Sequence, residues 1–218
     1  MRLDIFSDPI CPWCFIGKRR LERALAARPD LEIGVHWRAF QLNPEMPAEG
    51  MERQLYLELK FGGPAAAQRI YDTIAEAGAG EKIDFDFGAI RRTPNTINAH
   101  RLIRRAAAAA GKQDAVVEAL FRRYFLAGED IGDTAALLEV ATEAGLESAG
   151  LEAFLAGSEE SETVRGEDAL ARRTGIQGVP TFIFANRFAL SGAHEPEVLI
   201  QMFELAEQDA TPEALAGP

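Results

Sequence analysis

The chain has 218 residues, with 23 Lys or Arg and 34 Asp or Glu, so its formal net charge is −11 at pH 7. This acidic balance argues against nucleic acid and against an anionic membrane surface as partners. No run of apolar residues approaches the roughly 18 needed to cross a bilayer. The length fits one large domain or two interleaved ones.

The first elements predicted along the chain are a strand, a helix and a second strand. A short apolar run predicts a strand at residues 3–7, and apolar side chains near helical spacing predict a helix over 15–27. Alternating polarity predicts a long strand over 31–42. Because Met1 leads straight into a strand and not into an apolar signal stretch, the cytoplasm is the expected compartment.

The middle of the chain has helical periodicity almost throughout. Asp133 is placed to cap one of these helices at its start, and Gly145 to end it. A short extended piece at 82–87 interrupts the series. The predicted helices cover residues 55–61, 65–77, 96–110, 114–127 and 134–144.

Strand character returns near the end of the chain. A helix is predicted at 161–174, and residues 178–184 are predicted to lead into a strand. A turn follows at 185–187, then a second strand at 188–191 and a closing helix at 195–207. A βαβ half and a ββα half therefore flank an all-helical block. This order predicts an α/β thioredoxin-type sheet with a helical insertion, because neither half alone can bury both of its faces.

The same order predicts the division of the chain into domains. A discontinuous thioredoxin-like domain comprises residues 1–48 and 161–208, and the helical insertion comprises residues 49–160. Residues 209–218 are predicted to form a loose tail.

The only two cysteines, Cys11 and Cys14, lie two residues apart at the first strand-to-helix junction, with Pro12 and Trp13 between them. Two thiols at this spacing can close a disulfide across the first helical turn. The free N–H groups and the dipole of the helix favour a thiolate on the first of them. The pattern therefore predicts redox chemistry, with Cys11 as nucleophile and Cys14 as the buried resolving thiol.

Less reactive interpretations of the two cysteines remain open. A structural zinc site usually takes four Cys or His ligands, whereas this chain offers two cysteines and three scattered histidines, so no metal is predicted. A purely structural disulfide fits poorly, because so short a loop removes little entropy from the unfolded chain. Inert cysteines are the remaining alternative.

Six segments taken in order carry a family resemblance that covers nearly the whole chain. They are residues 7–18, 37–44, 94–101, 119–125, 178–182 and 191–193. Together they resemble the cytoplasmic DsbA-like oxidoreductases of the FrnE type. The resemblance implies a thioredoxin fold with a helical insertion, and thiol–disulfide exchange that requires no metal or organic cofactor. The substrates would be proteins or small molecules that carry a thiol or a disulfide.

The resemblance also implies that Pro180 follows a cis peptide bond and faces the two thiols. A cis proline removes an N–H and makes a tight turn. The backbone of Val179 would then be free to pair with an extended substrate segment beside Cys11.

The same superfamily includes kappa-class glutathione transferases and 2-hydroxychromene-2-carboxylate isomerases, which offer a second function. In those relatives a serine replaces the residue matching Cys11, and the second cysteine is absent. They bind glutathione, which is therefore an alternative ligand here. A third interpretation is a redox-switched holdase that binds unfolded polypeptide. The residues leave the oligomeric state open.

Further candidates each have a functional and a structural interpretation. Asp8 could accept the proton of Cys14 or only shape a turn, and Trp13 could be a substrate platform or pack internally. Asn95 or Thr96 is expected to cap a helix, and the resemblance implies that the start of this helix lies across the cleft from the thiols. Asn98 and His100 are placed to line the cleft, with His100 either a general base or a structural histidine.

Overall fold

The computed structural model describes residues 1–109 and 111–210. Its strands and helices alternate at both ends of the chain, and helices predominate in the middle. In chain order they are β1 (Arg2–Ser7), α1 (Pro12–Ala27), β2 (Gly34–Ala39), β3 (Met51–Glu52), α2 (Arg53–Phe61), α3 (Pro64–Gly80), β4 (Arg92–Thr93), α4 (Ile97–Ala106), α5 (Lys112–Ala127), α6 (Thr134–Glu143), α7 (Leu151–Ala156), α8 (Ser161–Arg173), β5 (Thr181–Phe184), β6 (Phe188–Ser191) and α9 (Pro196–Ala210).

The main sheet has the strand order β2-β1-β5-β6. β1 runs parallel to β2 and antiparallel to β5, so Ile5 lies between Trp37 and Phe182 in the register. The first and last parts of the chain therefore form one sheet. This confirms the predicted α/β thioredoxin fold with a helical insertion.

The hydrophobic core is continuous between the sheet and the insertion. Phe15 of α1 stacks on Phe121 of α5 with ring centroids 5.1 Å apart and an interplanar angle of 15°. Trp37 of β2 meets Phe121 edge-on at 6.5 Å. Packing therefore joins the two parts, and the predicted boundaries at 48/49 and 160/161 stay a prediction about chain organisation.

Several element boundaries differ from the sequence prediction. The second strand spans only Gly34–Ala39, not 31–42, because its partner β1 ends at Ser7, which is paired with Ala39. The helix predicted over 96–110 ends at Ala106 and continues as a turn. The predicted piece at 82–87 is irregular.

Three short elements, α7, β3 and β4, were not predicted. α7 has apolar side chains at Leu151, Phe154 and Leu155, which is helical spacing, but at six residues it is too short for a periodic signal. The two-residue strands β3 and β4 pair Met51 with Thr93 across a long separation in sequence.

At the end of the chain, α9 extends to Ala210 and includes the first two residues of the predicted tail, 209–218. Residues 211–218 lie outside the described residues. Within the described ranges, no helix is both long enough and apolar enough to span a bilayer.

Candidate functional site

The two cysteines lie where β1 gives way to α1. Cys11 is the N-cap residue of α1, with extended backbone angles (φ −93°, ψ 112°), and Pro12 occupies the first turn, where its missing N–H costs nothing. The N–H of Cys11 donates to the carbonyl of Asp8 at 2.9 Å, and that of Cys14 donates to the carbonyl of Cys11 at 3.0 Å. The motif is therefore held at the start of a helix, as predicted.

Both thiols are free and buried, with 4 % of Cys11 and 1 % of Cys14 exposed. Trp13 is half-buried and packs against the core, so it is neither a fully exposed platform nor a fully buried side chain.

The loop before β5 faces the first thiol. The Cys11 Sγ lies 3.5 Å from the carbonyl oxygen of Val179, close enough for a weak S–H···O hydrogen bond. The peptide bond between Val179 and Pro180 is cis, the isomer that the resemblance implies. Residues 168 positions apart in sequence are thus brought into contact at the site.

Burial raises the pKa of the Cys14 thiol well above its ordinary value of 9.0, and the neighbouring Cys11 side chain raises it further. The Ser7 hydroxyl and the Asp8 backbone N–H act in the opposite direction, but they do not outweigh burial. Cys14 is therefore a neutral thiol at physiological pH, which suits a group that reacts second.

The raised pKa of Cys14 predicts a loss of stability in alkali. Above its ordinary pKa of 9.0 the unfolded chain releases this proton while the folded chain retains it. The free energy of unfolding of the reduced protein should then fall by up to about 1.4 kcal/mol per pH unit. Denaturant titrations between pH 7 and 10.5 measure this fall, and Cys14→Ala should lack this component. An equal pH dependence in Cys14→Ala and wild type would contradict the assignment.

Asp8 is fully buried and connects the thiol loop to the residues after β2. Its Oδ2 accepts a hydrogen bond from the Leu42 N–H at 2.7 Å, and its Oδ1 accepts a longer one from the Ile10 N–H at 3.4 Å. These contacts give the carboxylate the loop-shaping role that was one of its two interpretations. Proton transfer between Asp8 and Cys14 stays a prediction.

His100 reaches the site from α4 through Asp8. Its ring is 2 % exposed, and its Nε2 lies 3.7 Å from Asp8 Oδ1, beyond direct hydrogen-bond distance. This Nε2 has no hydrogen-bond partner among the described residues. His100 is thus buried behind the thiol loop and does not line an open cleft. A general-base role for it stays a prediction.

The other residues predicted to line the cleft make contacts around the start of α4. Asn95 accepts a hydrogen bond from the Ile97 N–H at 2.9 Å, as a helix-capping side chain does, whereas Thr96 makes no such bond. The Thr96 hydroxyl instead accepts from Gln41 at 3.4 Å, and Asn98 accepts from Arg101 at 2.7 Å. The lining of a cleft by these three side chains stays a prediction.

Tyr56 of α2 is a neighbour of the site that sequence reasoning missed. Burial raises the pKa of its phenol, and the nearby charges of Asp8 and Cys11 raise it further. Its hydroxyl accepts a hydrogen bond from Asn43 at 3.4 Å. Nothing in the local pattern singles out this residue, because the fold of the insertion brings it to the site.

Gly17 was also missed, although a glycine inside a helix is a detectable signal, since it costs about 1 kcal/mol relative to Ala. A Cβ atom at this position would lie 3.0 Å from Pro180 Cγ and 3.4 Å from Phe182 Cζ. The glycine therefore allows α1 to approach the cis-proline loop.

Gly17→Val should displace Pro180 and slow disulfide exchange by about tenfold or more, because the branched side chain overlaps the proline ring. Stopped-flow exchange with a peptide disulfide measures the rate. Gly166→Val in α8 is a matched control, since no atom lies within 4 Å of its Cβ position. Equal rates for the two variants would mean that this close approach has no role in exchange.

Within residues 1–109 and 111–210, no cluster of three or more His, Cys, Asp or Glu side chains could hold a metal ion.

Comparison with known proteins places this geometry in a family. The family model of the DSBA-like thioredoxin domain matches residues 2–204, and the chain belongs to this family. The predicted resemblance to DsbA-like proteins is thereby confirmed, while the FrnE type stays a prediction.

Three proteins of known structure share the fold. The probable DsbA oxidoreductase SCO1869 from Streptomyces coelicolor is 32 % identical, with a TM-score of 0.86 over 99 % of this chain and 93 % of that one. A 2-hydroxychromene-2-carboxylate isomerase is 17 % identical (TM-score 0.69; 96 % and 98 % covered). The cytosolic disulfide reductase DsbM from Pseudomonas aeruginosa is 18 % identical, with a TM-score of 0.62 over 96 % of this chain and 97 % of that one. The structure of DsbM with GSH is 19 % identical, with a TM-score of 0.54 over the same shares of the two chains. The isomerase and DsbM, at 17–19 % identity, show the fold alone.

Proposed function

We propose that this chain is a thiol–disulfide oxidoreductase in which Cys11 is the nucleophile and Cys14 the resolving thiol. One observation carries the proposal: the Cys11 Sγ sits at the N-terminus of α1, 3.5 Å from the carbonyl that precedes Pro180. Cys11 begins the helix and faces the loop that would receive a substrate, whereas burial raises the pKa of Cys14 and keeps it protonated.

The reaction follows from the different roles of the two thiols. The Cys11 thiolate attacks one sulfur of a substrate disulfide, forms a mixed disulfide and releases the other substrate sulfur as a thiolate. Cys14 then gives up its proton and attacks the Cys11 Sγ, which forms the Cys11–Cys14 disulfide and releases the second substrate thiolate. The substrate gains two electrons and the protein loses two, and the reverse sequence oxidises a dithiol.

Substrate recognition is proposed to use the backbone beside the thiols. The Val179 carbonyl is adjacent to Cys11, and an extended segment with a disulfide or thiol could hydrogen-bond to Val179 while its sulfur meets the Sγ. Pro12 starts the helix under the thiol, and Trp13 is half-buried next to it. Asp8 would hold the loop that carries this arrangement.

Single-turnover kinetics tests the proposal. Reduced protein is mixed with excess peptide disulfide, and the mass of the protein and the released peptide thiol are followed with time. The proposal predicts loss of two hydrogen atoms from the protein and release of two peptide thiols per chain. A protein that stays reduced, or that only retains a single adduct at Cys11, contradicts it.

Glutathione-dependent isomerisation of a small aromatic substrate is the second candidate, on the basis of the fold shared with the isomerase. In kappa-class transferases and these isomerases a serine is expected at the position of Cys11 and the second cysteine is absent. This chain has both thiols, which favours the oxidoreductase. Isomerisation would require bound glutathione and should survive Cys14→Ser, whereas disulfide turnover should not. Suppression of aggregation by a protein lacking both thiols would instead support a holdase.

The proposed setting is the cytoplasm, with thiol- or disulfide-bearing proteins or small molecules as partners. The acidic net charge of −11 argues against nucleic acid and anionic membranes as partners. The dithiol reaction itself needs no metal or organic cofactor, and glutathione would act as a co-substrate that reduces the Cys11–Cys14 disulfide.

A further inference from the structure

A cavity of about 520 Å³ lies within the helical insertion, among α2, α3 and the segment between α3 and β4. We call it the insertion cavity, and its lining includes Arg53, Tyr71, Phe85 and Phe87. Its volume falls within the range of roughly 300–1,000 Å³ found for small-molecule sites. Neither cysteine lines it, so it is separate from the candidate redox site.

Arg53 brings a positive charge to this cavity without a matching carboxylate. It is 8 % exposed, and among the described residues no carboxylate lies within 4.0 Å of its guanidinium. Its hydrogen bonds go to the hydroxyls of Thr93 at 2.9 Å, Tyr71 at 2.5 Å and Tyr124 at 3.4 Å. Hydroxyls and the Tyr71 ring offset part of the cost of burying a cation, but they carry no opposite charge.

Arg101 shows how this fold satisfies another buried arginine. It is 1 % exposed and also lacks a carboxylate partner in the described part of the chain. Its Nε and both terminal nitrogens donate to three main-chain carbonyls and to the side-chain oxygen of Asn98. Arg53 differs at its Nε, which donates to no described residue. The NH2 group of Arg53 donates one hydrogen bond, as that of Arg101 does, and keeps a second N–H unused.

We infer that the insertion cavity binds a small monocarboxylate with an aromatic or other apolar body, and that Arg53 holds the carboxylate. The uncommitted donors of Arg53 lie on adjacent nitrogens, and two parallel N–H···O bonds from a guanidinium match a carboxylate. Such an anion supplies the charge that the three hydroxyls lack.

Aromatic rings supply a surface for the apolar body. Tyr71 stacks on Phe87 with centroids 4.4 Å apart and an interplanar angle of 17°, and Phe87 stacks on Phe85 at 4.9 Å and 15°. All three line the cavity. A flat apolar group can pack against these rings while its carboxylate reaches Arg53.

Three carboxylates in the lining select against a more highly charged ligand. Glu52 accepts a hydrogen bond from the Leu55 N–H, Asp72 from Gln68 and Asp86 from the Ala89 N–H, so each is engaged within the protein. None of them forms an ion pair with Arg53, and they repel a dianion such as hydrogen phosphate about twice as strongly as a monoanion. A single negative charge on an apolar body fits both features.

Calorimetric titration of the intact, reduced protein with benzoate tests the inference. Saturable binding with one site per chain is expected, and the uncharged isostere benzamide and inorganic phosphate should each bind at least tenfold more weakly. Arg53→Gln should weaken benzoate binding at least tenfold. Arg69→Gln, an exposed α3 arginine outside the lining, should leave it unchanged.

A second variant keeps the test decisive if Arg53→Gln does not fold. Ala75→Leu reduces the cavity without touching Arg53 and should also weaken benzoate at least tenfold. Absence of saturable benzoate binding to wild type, or equal binding by a folded Ala75→Leu, overturns the inference. Because no thiol reacts in this titration, its result is independent of the proposed redox function.

Discussion

Replacement of Cys11 by Ser is expected to slow disulfide exchange at least about a thousandfold, because the hydroxyl cannot attack a disulfide sulfur at neutral pH. Cys14→Ser is expected to behave differently. It keeps the attacking thiolate but lacks the group that resolves the mixed disulfide, so the protein should accumulate a covalent adduct at Cys11. Intact mass and peptide mapping after reaction with a peptide disulfide distinguish the two variants.

The different outcomes expected for Cys11→Ser and Cys14→Ser test which thiol attacks and which one resolves. Both cysteines are almost completely buried, so a difference in exposure of 4 % against 1 % does not explain opposite outcomes. The helix start at Cys11 and the raised pKa of Cys14 do explain them. Adduct formation at Cys14 in a Cys11→Ser protein, at a rate near that of Cys14→Ser, would reverse the assigned roles.

Phe121→Ala is expected to cause a large loss of stability. Phe121 is fully buried, stacks on Phe15 and contacts Trp37, so it joins α5 of the insertion to α1 and β2. Its truncation should cost about 3–5 kcal/mol, a large share of the roughly 5–15 kcal/mol that stabilises most proteins. The melting temperature should fall by on the order of 10 °C.

Leu126→Ala in the same helix is a suitable control, because Leu126 is 37 % exposed and should cost about 1 kcal/mol or less. Calorimetric melting curves also report how the two parts unfold. A single transition that moves as a whole in Phe121→Ala is expected from the shared core. Two transitions, of which only one shifts, would show that the insertion and the sheet unfold independently.

Much of the fold was predictable because its signals are local. The thiol pair, the glycines that end helices and the alternation near residues 178–191 each lie within a short window. The order of elements then restricted the topology, since two half-sheets that cannot bury their faces alone must combine. Boundaries were less predictable, because β2 ends where its partner strand ends.

The site was predictable only where its residues belong to a motif. Cys11, Cys14 and Pro180 are such residues. The hydrogen bond from Leu42 to Asp8 and the approach of Tyr56 depend on how distant segments pack, and no local pattern encodes them. Asn95, Thr96 and Asn98 were correctly placed near the start of α4, yet their side chains serve the helix and its neighbours.

The insertion cavity could be predicted from the sequence even less than the candidate redox site. Arg53 begins α2, while its hydroxyl partners come from α3, β4 and α5. In sequence Arg53 is one of several arginines on helices, and its burial depends on three separate segments folding around it. Functional inferences from such a residue require the tertiary structure.

Equilibration of the purified protein with defined ratios of reduced to oxidised glutathione tests the central claim most directly. After each equilibration, free thiols are alkylated in acid, and intact mass with peptide mapping gives the redox state of Cys11 and Cys14. The account predicts a reversible Cys11–Cys14 disulfide with a single two-electron midpoint. If no intramolecular disulfide forms at any ratio, and glutathione alone is retained at Cys11 or bound without a covalent bond, the oxidoreductase proposal is contradicted.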